Sequence, residues 1–238
     1  MPASKEHVAQ EKQAAGSAGA ALVCDGARVG LGSGSTSACF IRALGGRIAR
    51  EGLRVSGVPT SAACERLARE VGIPLIEPSR GLVLDVAIDG ADEIGPGLAL
   101  IKGGGGALLR EKVVASMARE FIVIADSTKV VEKLGAFAVP VEVVPFAATV
   151  VMDRVAALGG SPARRADPGR TSAPWVTDQG NWLLDCDFGL IADPAGLARG
   201  LEQIPGVVGH GLFIGMARRA LVAEDGRIRE IRAASSGD

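Results

Sequence analysis

The chain has 238 residues, with 26 basic and 27 acidic side chains, a formal net charge of −1, 47% hydrophobic residues and 3% aromatic residues. This length allows one large domain or a large and a small one, and the near-neutral charge argues against a general nucleic-acid or anionic-membrane surface. Because the chain contains no tyrosine, an aromatic platform for stacking nucleobases is not expected either.

The four cysteines are scattered at positions 24, 39, 64 and 186, and no pair has the Cys-x-x-Cys spacing. Only two histidines could join them as ligands, so a structural zinc site is not expected. Together with the lack of a signal peptide and of an apolar run of about 18 residues, this cysteine usage predicts reduced thiols in a cytoplasmic protein without a membrane span.

The first 130 residues alternate between predicted strands and helices. The pattern predicts helices over 4–24, from after Thr36 to Gly45, over 64–71 and through Val113 and Met117. It predicts strands over 28–31, 53–58, 82–88, 98–101 and 121–125. Glycine-rich or hydroxyl-rich turns separate these elements. The alternation is typical of an α/β fold, a Rossmann-like parallel sheet flanked by helices, in which ligands bind beyond the carboxyl ends of the strands.

The pattern changes after about residue 130. It predicts a strand over 138–144, a helix over 147–158, a β-hairpin joining 175–177 to 182–184, and a helix over 194–204. We expect residues 131–206 to form a smaller α+β domain, inserted before C-terminal strands that return to the main sheet. The main α/β catalytic domain would then comprise residues 1–130 and 207–238.

The first candidate site is Gly-Leu-Gly-Ser-Gly-Ser-Thr at positions 30–36. A Rossmann dinucleotide fingerprint would place its third glycine at Ser35, and no Gly-Lys-Ser/Thr triplet of a nucleotide P-loop is present. The remaining interpretation is a strand-to-helix turn whose N–H groups and hydroxyls hold a phosphate or carboxylate. A simple tight turn with capping hydroxyls remains the alternative.

The second candidate is Asp-Gly-Ala-Asp-Glu at positions 89–93. Three acids within five residues repel one another unless a cation or a bound ligand lies nearby. A calcium loop beginning at Asp85 is excluded, because Ala87 and Pro96 would occupy ligand positions. A turn accounts for Asp89 and Gly90 but leaves Asp92 and Glu93 unexplained, which favours a functional role.

The third candidate is Lys102, followed by four glycines and then by Arg-Glu-Lys at positions 110–112. Taken singly, Lys102 would be a solvated lysine at a strand end, and Glu111 a surface residue in the first turns of a helix. At the same sheet edge as Asp89, they supply what proton transfer on a small anionic substrate requires. His7 is expected on a solvated helix and His210 at the surface or a strand end, and neither completes a Ser-His-Asp or Cys-His set.

As a set, these motifs resemble ribose-5-phosphate isomerase of type A. The matching segments run from the first strand to near the C-terminus: 32–36, 59–61, 89–93, 102–108, 110–112, 125–129 and 204–208. Two departures concern small side chains: Ser33 stands where the family often has threonine, and Cys64 where a threonine often follows the Thr-Ser pair.

The resemblance implies interconversion of D-ribose 5-phosphate and D-ribulose 5-phosphate through an enediolate, in the non-oxidative pentose phosphate pathway. It implies no metal or organic cofactor, and a homodimer or homotetramer. Glu111 matches the general base that carries a proton between C2 and C1, and Asp89 and Lys102 match residues acting on the sugar hydroxyls and carbonyl. The positions matching substrate contacts are Ser33, Gly34, Ser35, Thr36, Asp89, Gly90, Ala91, Asp92, Lys102, Gly103, Gly104, Gly105 and Lys129.

Two other functions remain open from the sequence. A non-enzymatic sugar-phosphate sensor would need a DNA-binding module, and no basic helix-turn-helix segment with spare length is present. A coenzyme A transferase-like enzyme of related fold would use Glu111 as a nucleophile, and its covalent thioester and its need for coenzyme A would distinguish it.

Overall fold

The computed structural model of the chain describes residues 4–167 and 169–233. The helices are α1 (Lys5–Ala21), α2 (Ser35–Glu51), α3 (Ala62–Glu70), α4 (Leu108–Ser116), α5 (Ala148–Ala157) and α6 (Pro194–Glu202), with short 3-10 helices at Pro96–Leu98, Ser127–Lys129 and Pro145–Ala147. The strands are β1 (Arg28–Leu31), β2 (Ser56–Pro59), β3 (Val86–Asp89), β4 (Glu93–Ile94), β5 (Leu100–Ile101), β6 (Phe121–Asp126), β7 (Val139–Val143), β8 (Ser161–Arg164), β9 (Ala166–Asp167), β10 (Arg170–Pro174), β11 (Trp182–Asp187), β12 (Val207–His210), β13 (Leu212–Phe213), β14 (Ala217–Glu224) and β15 (Arg227–Arg232).

The chain divides into two compact units. The first contains the described residues of 1–91, 110–130 and 215–238, and the second contains 92–109 and 131–214. This division differs from the predicted domain boundaries in placing 92–109 and 207–214 in the second unit. The reason is a three-stranded antiparallel sheet in the order β13-β5-β4, which ties these segments together by backbone hydrogen bonds.

The first unit is built on a six-stranded sheet in the order β15-β14-β6-β3-β1-β2. Strands β14 to β2 are parallel, and β15 pairs antiparallel with β14. Val29 and Leu31 of β1 join the core formed with α1, α2 and α3, whereas the intervening Gly30 lies against Val114 of α4. Because side chains alternate across a strand, helices cover both faces of this sheet, which confirms the predicted α/β class.

The second unit is built on a four-stranded antiparallel sheet in the order β12-β7-β11-β8. Its core joins β7 and β11 with apolar residues of α5 and α6, including Val151, Val155 and Leu201, all of which are fully buried. Strands β9 and β10 form a separate two-stranded ladder. The mixture of helices and antiparallel strands matches the predicted α+β character.

Two predicted pairings are wrong. The hairpin expected over 175–184 is reduced to an isolated bridge between Val176 and Trp182, while β11 pairs with β7 and β8. Residues 207–214 do not return to the main sheet, because β12 pairs with β7 and β13 with β5. Residue periodicity gives the strands but not their partners, which are set by packing between distant segments. None of the described helices is long and apolar enough to cross a membrane.

Candidate active site

Asp89 is the last residue of β3 and is almost completely buried. Its Oδ1 atom accepts hydrogen bonds from the Ser33 backbone N–H at 2.9 Å, the Ser37 hydroxyl at 2.9 Å and the Gly90 N–H at 2.7 Å. The Ser37 hydroxyl in turn accepts from the Gly90 N–H at 3.1 Å. These donors fix the carboxylate at the end of a buried strand. Ser37, one residue beyond the predicted hydroxyl turn, was not identified from the sequence.

Glu111 lies in the first turn of α4 and is also buried, so it is not the surface glutamate of the alternative interpretation. Glu111 and Asp89 line one narrow cleft in the first unit, which is too tight to hold a water molecule. Gly30 allows α4 to approach the sheet, since a Cβ atom there would lie 2.6 Å from Val114 Cγ1 and 2.7 Å from Ala87 Cβ. Because Gly30 of β1 has no side chain, α4 can lie close enough to the sheet for the Glu111 carboxylate to line the same cleft as Asp89.

The hydroxyl turn is tied to the strand ends around it. Ser33 Oγ lies 2.7 Å from Thr60 Oγ1 and donates to Ser61 Oγ at 2.7 Å, and Thr60 Oγ1 donates to the Leu31 carbonyl at 2.9 Å. Since the Ser33 N–H already donates to Asp89, Ser33 connects the hydroxyl turn to the carboxylate. The alternative of a simple capping turn does not describe these contacts.

Helix α2 begins at Ser35, and its N-cap Gly34 has a φ of 91° and supplies no side-chain cap. The first N–H groups of a helix have no carbonyl partner within that helix, so they favour an anion. Lys12 of α1 donates from Nζ to Ser35 Oγ at 3.0 Å, which adds a positive charge beside this terminus. Lys12 lies 23 residues before Ser35, and nothing in the sequence indicated the pairing.

Lys129 ends the 3-10 turn that follows β6. Two buried carboxylates hold this turn: Asp126 accepts from the Thr128 N–H at 3.2 Å, and Glu11 accepts from the Ser127 N–H at 3.0 Å and its hydroxyl at 2.8 Å. Burial raises the pKa of Glu11, but the hydrogen bonds from Ser127 and the Asp225 N–H, together with the nearby His7, outweigh it and leave the pKa below its ordinary value. Lys129 itself forms no ion pair within residues 4–167 and 169–233.

Lys102 lies in the second unit and is buried, so it is not the solvated strand-end lysine of the alternative interpretation. Its N–H donates to the Gly211 carbonyl at 2.8 Å, and its ammonium group lies 5.4 Å from the centre of the Phe213 ring. A cation over an aromatic face is favourable when desolvated, which helps to keep a charged lysine inside this unit.

The glycines after Lys102 form a tight loop. Gly103 and Gly106 have φ values of 102° and 80°, in the left-handed region that favours glycine. The Gly104 N–H donates to Asp92 Oδ2 at 2.8 Å. Asp92 therefore holds the loop of its own unit.

Glu93 has a different role from that expected of the acidic run. It is buried in the second unit, where it accepts from the Gly135 N–H at 2.7 Å and the Phe137 N–H at 2.6 Å. Asp89, Asp92 and Glu93 thus each have their own backbone donors. The expected crowding of three acids around one ligand is wrong for Glu93, which holds a loop.

Cys64 and His210 complete the residues considered from the sequence. Cys64 is buried and donates from Sγ to the Leu31 carbonyl at 3.3 Å, and burial raises the pKa of its thiol to about 12. Where the resemblance implies a threonine hydroxyl, the chain therefore has a neutral thiol that still donates a hydrogen bond. His210 ends β12 as expected, but it is buried and not at the surface.

The predicted site residues fall in both units. Ser33, Gly34, Ser35, Thr36, Asp89, Gly90, Ala91, Glu111 and Lys129 belong to the first, and Asp92, Lys102, Gly103, Gly104 and Gly105 to the second. The first unit joins Ser33, Asp89 and Gly90 by hydrogen bonds and places Asp89 and Glu111 in one cleft. The second joins Asp92 to the glycine loop.

Comparison with known proteins gives a consistent picture. The family model for ribose 5-phosphate isomerase A (phosphoriboisomerase A) matches residues 56–227. The ribose-5-phosphate isomerase A of Roseiflexus sp. (strain RS-1) is 53% identical over 213 residues, covering 89% of this chain and 91% of the relative. That of Thermosynechococcus vestitus is 48% identical over 234 residues, covering 96% and 99%.

Solved structures agree with these relatives. The ribose 5-phosphate isomerase A of Methanocaldococcus jannaschii superposes with a TM-score of 0.89 at 40% identity, covering 94% of this chain and 98% of that one. A D-ribose-5-phosphate isomerase in complex with phospho-erythronic acid superposes with a TM-score of 0.91 at 35% identity, covering 94% and 99%.

Proposed function

The chain belongs to the ribose 5-phosphate isomerase A family of aldose–ketose isomerases, and we propose that Glu111 moves the proton by which it converts D-ribose 5-phosphate into D-ribulose 5-phosphate. The observation that carries this assignment is that the buried carboxylates of Glu111 and Asp89 line the same narrow cleft of the first unit. Two carboxylates that approach the same point of a structure can act on one small substrate in different roles.

Asp89 is assigned to ring opening. The sugar phosphate must open to its aldehyde before isomerisation, which requires a proton to leave the C1 hydroxyl and another to reach the ring oxygen. A carboxylate can exchange both protons if it is held in one orientation, and Asp89 is held by the donors on its Oδ1 atom. This arrangement supports a role for Asp89 as acid and base in that step.

Glu111 is assigned to the isomerisation itself. Its carboxylate removes the proton from C2 of the open aldose, and the electron pair of that bond forms the C1–C2 double bond of an enediolate. The negative charge moves to O1. The proton on O2 then passes to O1, and Glu111 returns its proton to C1, which leaves a carbonyl at C2. No redox cofactor is needed, because one carbon is oxidised as its neighbour is reduced.

Lys102 and the N–H groups of the glycine loop are assigned to the enediolate oxygen. A proton beside a carbonyl is far too weak an acid for a carboxylate unless the developing oxyanion is stabilised. Lys102 is a buried cation, and the loop supplies backbone donors beside it in the chain. The attraction between a lysine ammonium group and an oxyanion is stronger inside a protein than in water, because the dielectric constant is lower there.

The phosphate is assigned to the N-terminus of α2 together with Lys12 and Lys129. The helix terminus has no side-chain cap, and Lys12 lies against Ser35. Binding energy at the phosphate positions the reacting carbons. A related structure in complex with phospho-erythronic acid, a phosphorylated four-carbon acid, supports the same class of ligand for this chain. We further infer a homodimer or homotetramer acting in the cytoplasm, which light scattering and localisation would check.

The test is conversion of ribose 5-phosphate to ribulose 5-phosphate by the purified protein in EDTA. We expect turnover without added metal or cofactor. Binding of the sugar phosphate without turnover would favour the sensor function instead. A covalent thioester formed on Glu111 in the presence of coenzyme A would favour a transferase.

A further inference from the structure

Arg165 of the second unit contacts the glycine loop from 61 and 62 residues away in the sequence. Its Nη1 atom donates to the Gly103 carbonyl at 3.1 Å and to the Gly104 carbonyl at 3.0 Å. Its side chain is only 12% exposed, and its Nε atom donates to Asp185 of β11 at 3.0 Å. A partly buried arginine with a carboxylate partner on one side therefore binds two successive carbonyls on the other.

Trp175 completes this cluster. The Arg165 guanidinium lies 5.8 Å from the centre of the Trp175 ring. That ring also lies against the loop, since a Cβ atom at Gly106 would stand 2.8 Å from Trp175 Nε1. Arg165, Asp185 and Trp175, named here the Arg165 cluster, therefore support the loop from Gly103 to Gly106.

The contacts fix two successive peptide planes. The plane between Gly103 and Gly104 is held at both ends, because Arg165 binds its carbonyl and Asp92 accepts from its N–H at 2.8 Å. The plane between Gly104 and Gly105 is held by its carbonyl. The C=O and N–H of a trans peptide point in opposite directions, and the chain has no cis bond among the described residues. The Gly105 N–H is therefore aimed away from Arg165.

Gly105 is suited to face a ligand. It is exposed, and a Cβ atom there would meet no atom within 4 Å. Four consecutive glycines lose much backbone entropy on ordering. The loop has one internal hydrogen bond, from the Gly106 N–H to the Gly103 carbonyl at 2.9 Å, and contacts from outside the loop add to it in fixing the direction of the Gly105 N–H. A cation bound to the carbonyl of a peptide also polarises its N–H and makes it a stronger donor.

We propose that Arg165 is a positioning residue that aims and polarises the Gly105 N–H toward the enediolate oxygen. This inference rests on the proposed function, since it deepens the role given there to the glycine loop. Arg165 does not touch the substrate. It acts through the two carbonyls, and Asp185 and Trp175 set the plane of its guanidinium. A lysine at this position would keep the charge but could not span both carbonyls and Asp185.

The test compares Arg165→Met and Arg165→Lys with Arg164→Met. Arg164 is the adjacent residue, exposed and stacked 5.5 Å from the Trp182 ring, which makes it a matched control. We expect Arg165→Met to lower kcat roughly 10- to 100-fold with KM within about threefold, because a displaced donor weakens the transition state more than the ground state. Arg165→Lys should recover part of kcat, and Arg164→Met should match the wild type.

Melting temperatures separate positioning from folding. A role in folding alone would lower Tm and the yield of active protein while leaving the kcat of the folded fraction unchanged. The inference is overturned if folded Arg165→Met keeps a kcat within twofold of Arg164→Met. If Arg165→Met does not fold, Arg165→Lys decides, and a wild-type kcat for it would overturn the inference. Turnover by the wild type and Arg164→Met tests the proposed function, whereas the ratio between the Arg165 and Arg164 variants tests this role.

Discussion

Asp89 packs directly on the backbone of Gly32: a Cβ atom at position 32 would lie 2.1 Å from Asp89 Oδ1 and 2.6 Å from the Asp89 α-carbon. Gly32 follows β1, and Asp89 ends the neighbouring parallel strand β3. The missing side chain at Gly32 therefore allows the carboxylate to reach the Ser33 N–H. The position of the carboxylate depends on a residue that has no side chain of its own.

The variant Gly32→Ala tests this dependence. The added methyl group must displace Asp89, so we expect kcat/KM to fall about 100-fold and stability to fall by about 1–3 kcal/mol from overpacking. Gly200→Ala in α6 is the control, since its Cβ would meet only the end of the Leu158 side chain at 3.3 Å. It should keep full activity. Steady-state kinetics give kcat/KM, and urea unfolding gives the free energy of unfolding. A wild-type kcat/KM for Gly32→Ala would contradict the dependence of the Asp89 position on Gly32.

Lys12 should act on the phosphate and not on the chemistry. We expect Lys12→Ala to lower kcat/KM for ribose 5-phosphate about tenfold, mainly through a higher KM, because it removes a charge that binds substrate and transition state alike. Lys5→Ala on the same helix removes an exposed charge and serves as the control. Added salt screens the charge of Lys12, so it should reduce the difference in KM between the wild type and Lys12→Ala. An unchanged KM for Lys12→Ala would remove Lys12 from the phosphate site.

The buried thiols predict a loss of stability at alkaline pH. Burial raises the pKa of Cys186 from 9.0 to about 12. Below pH 9 the thiol is protonated in both the folded and the unfolded chain. Between pH 9 and 12 only the unfolded thiol ionises, so the free energy of unfolding falls by about 1.4 kcal/mol per pH unit.

Cys186→Ala removes this contribution. Urea unfolding at pH 8 and pH 11 should show a smaller loss of stability for the variant than for the wild type, whatever the cost of the substitution at pH 8. Cys64 contributes in the same direction in both proteins and cancels in the comparison. Equal losses in the two proteins would show that the Cys186 thiol ionises in the folded state.

Local pattern identified much of the first unit. Strand β1 spans the predicted residues 28–31, and Asp89 lies at the carboxyl end of a strand as expected. Glu111 lies in the first turn of its helix. These positions follow from alternation, capping and the rule that loops at the carboxyl ends of parallel strands carry function. The burial of Asp89 and Glu111 could not be predicted from the sequence, because it depends on close packing between elements such as that of Gly30 against Val114.

Contacts between distant segments were not predictable in the same way. Lys12 meets Ser35 through the packing of α1 on α2. Arg165 meets the glycine loop from the junction of β8 and β9, two strands that the sequence did not indicate. Glu93 was expected in a functional cluster, yet it holds the loop at Gly135 and Phe137. In each case the sequence gives the type of the residue, whereas its contact partner depends on the tertiary structure.

The role of Glu111 as the base is decided by the kinetics of Glu111→Gln beside Glu77→Gln, which changes an exposed glutamate in a loop. Glutamine keeps the shape of the side chain but cannot take the C2 proton, so we predict a fall in kcat of about 10²–10⁴-fold. Affinity for phospho-erythronic acid should be retained, which would show that the fold and the binding groups are intact. A Glu111→Gln variant that binds this ligand and turns over within tenfold of Glu77→Gln would contradict the assignment of the base.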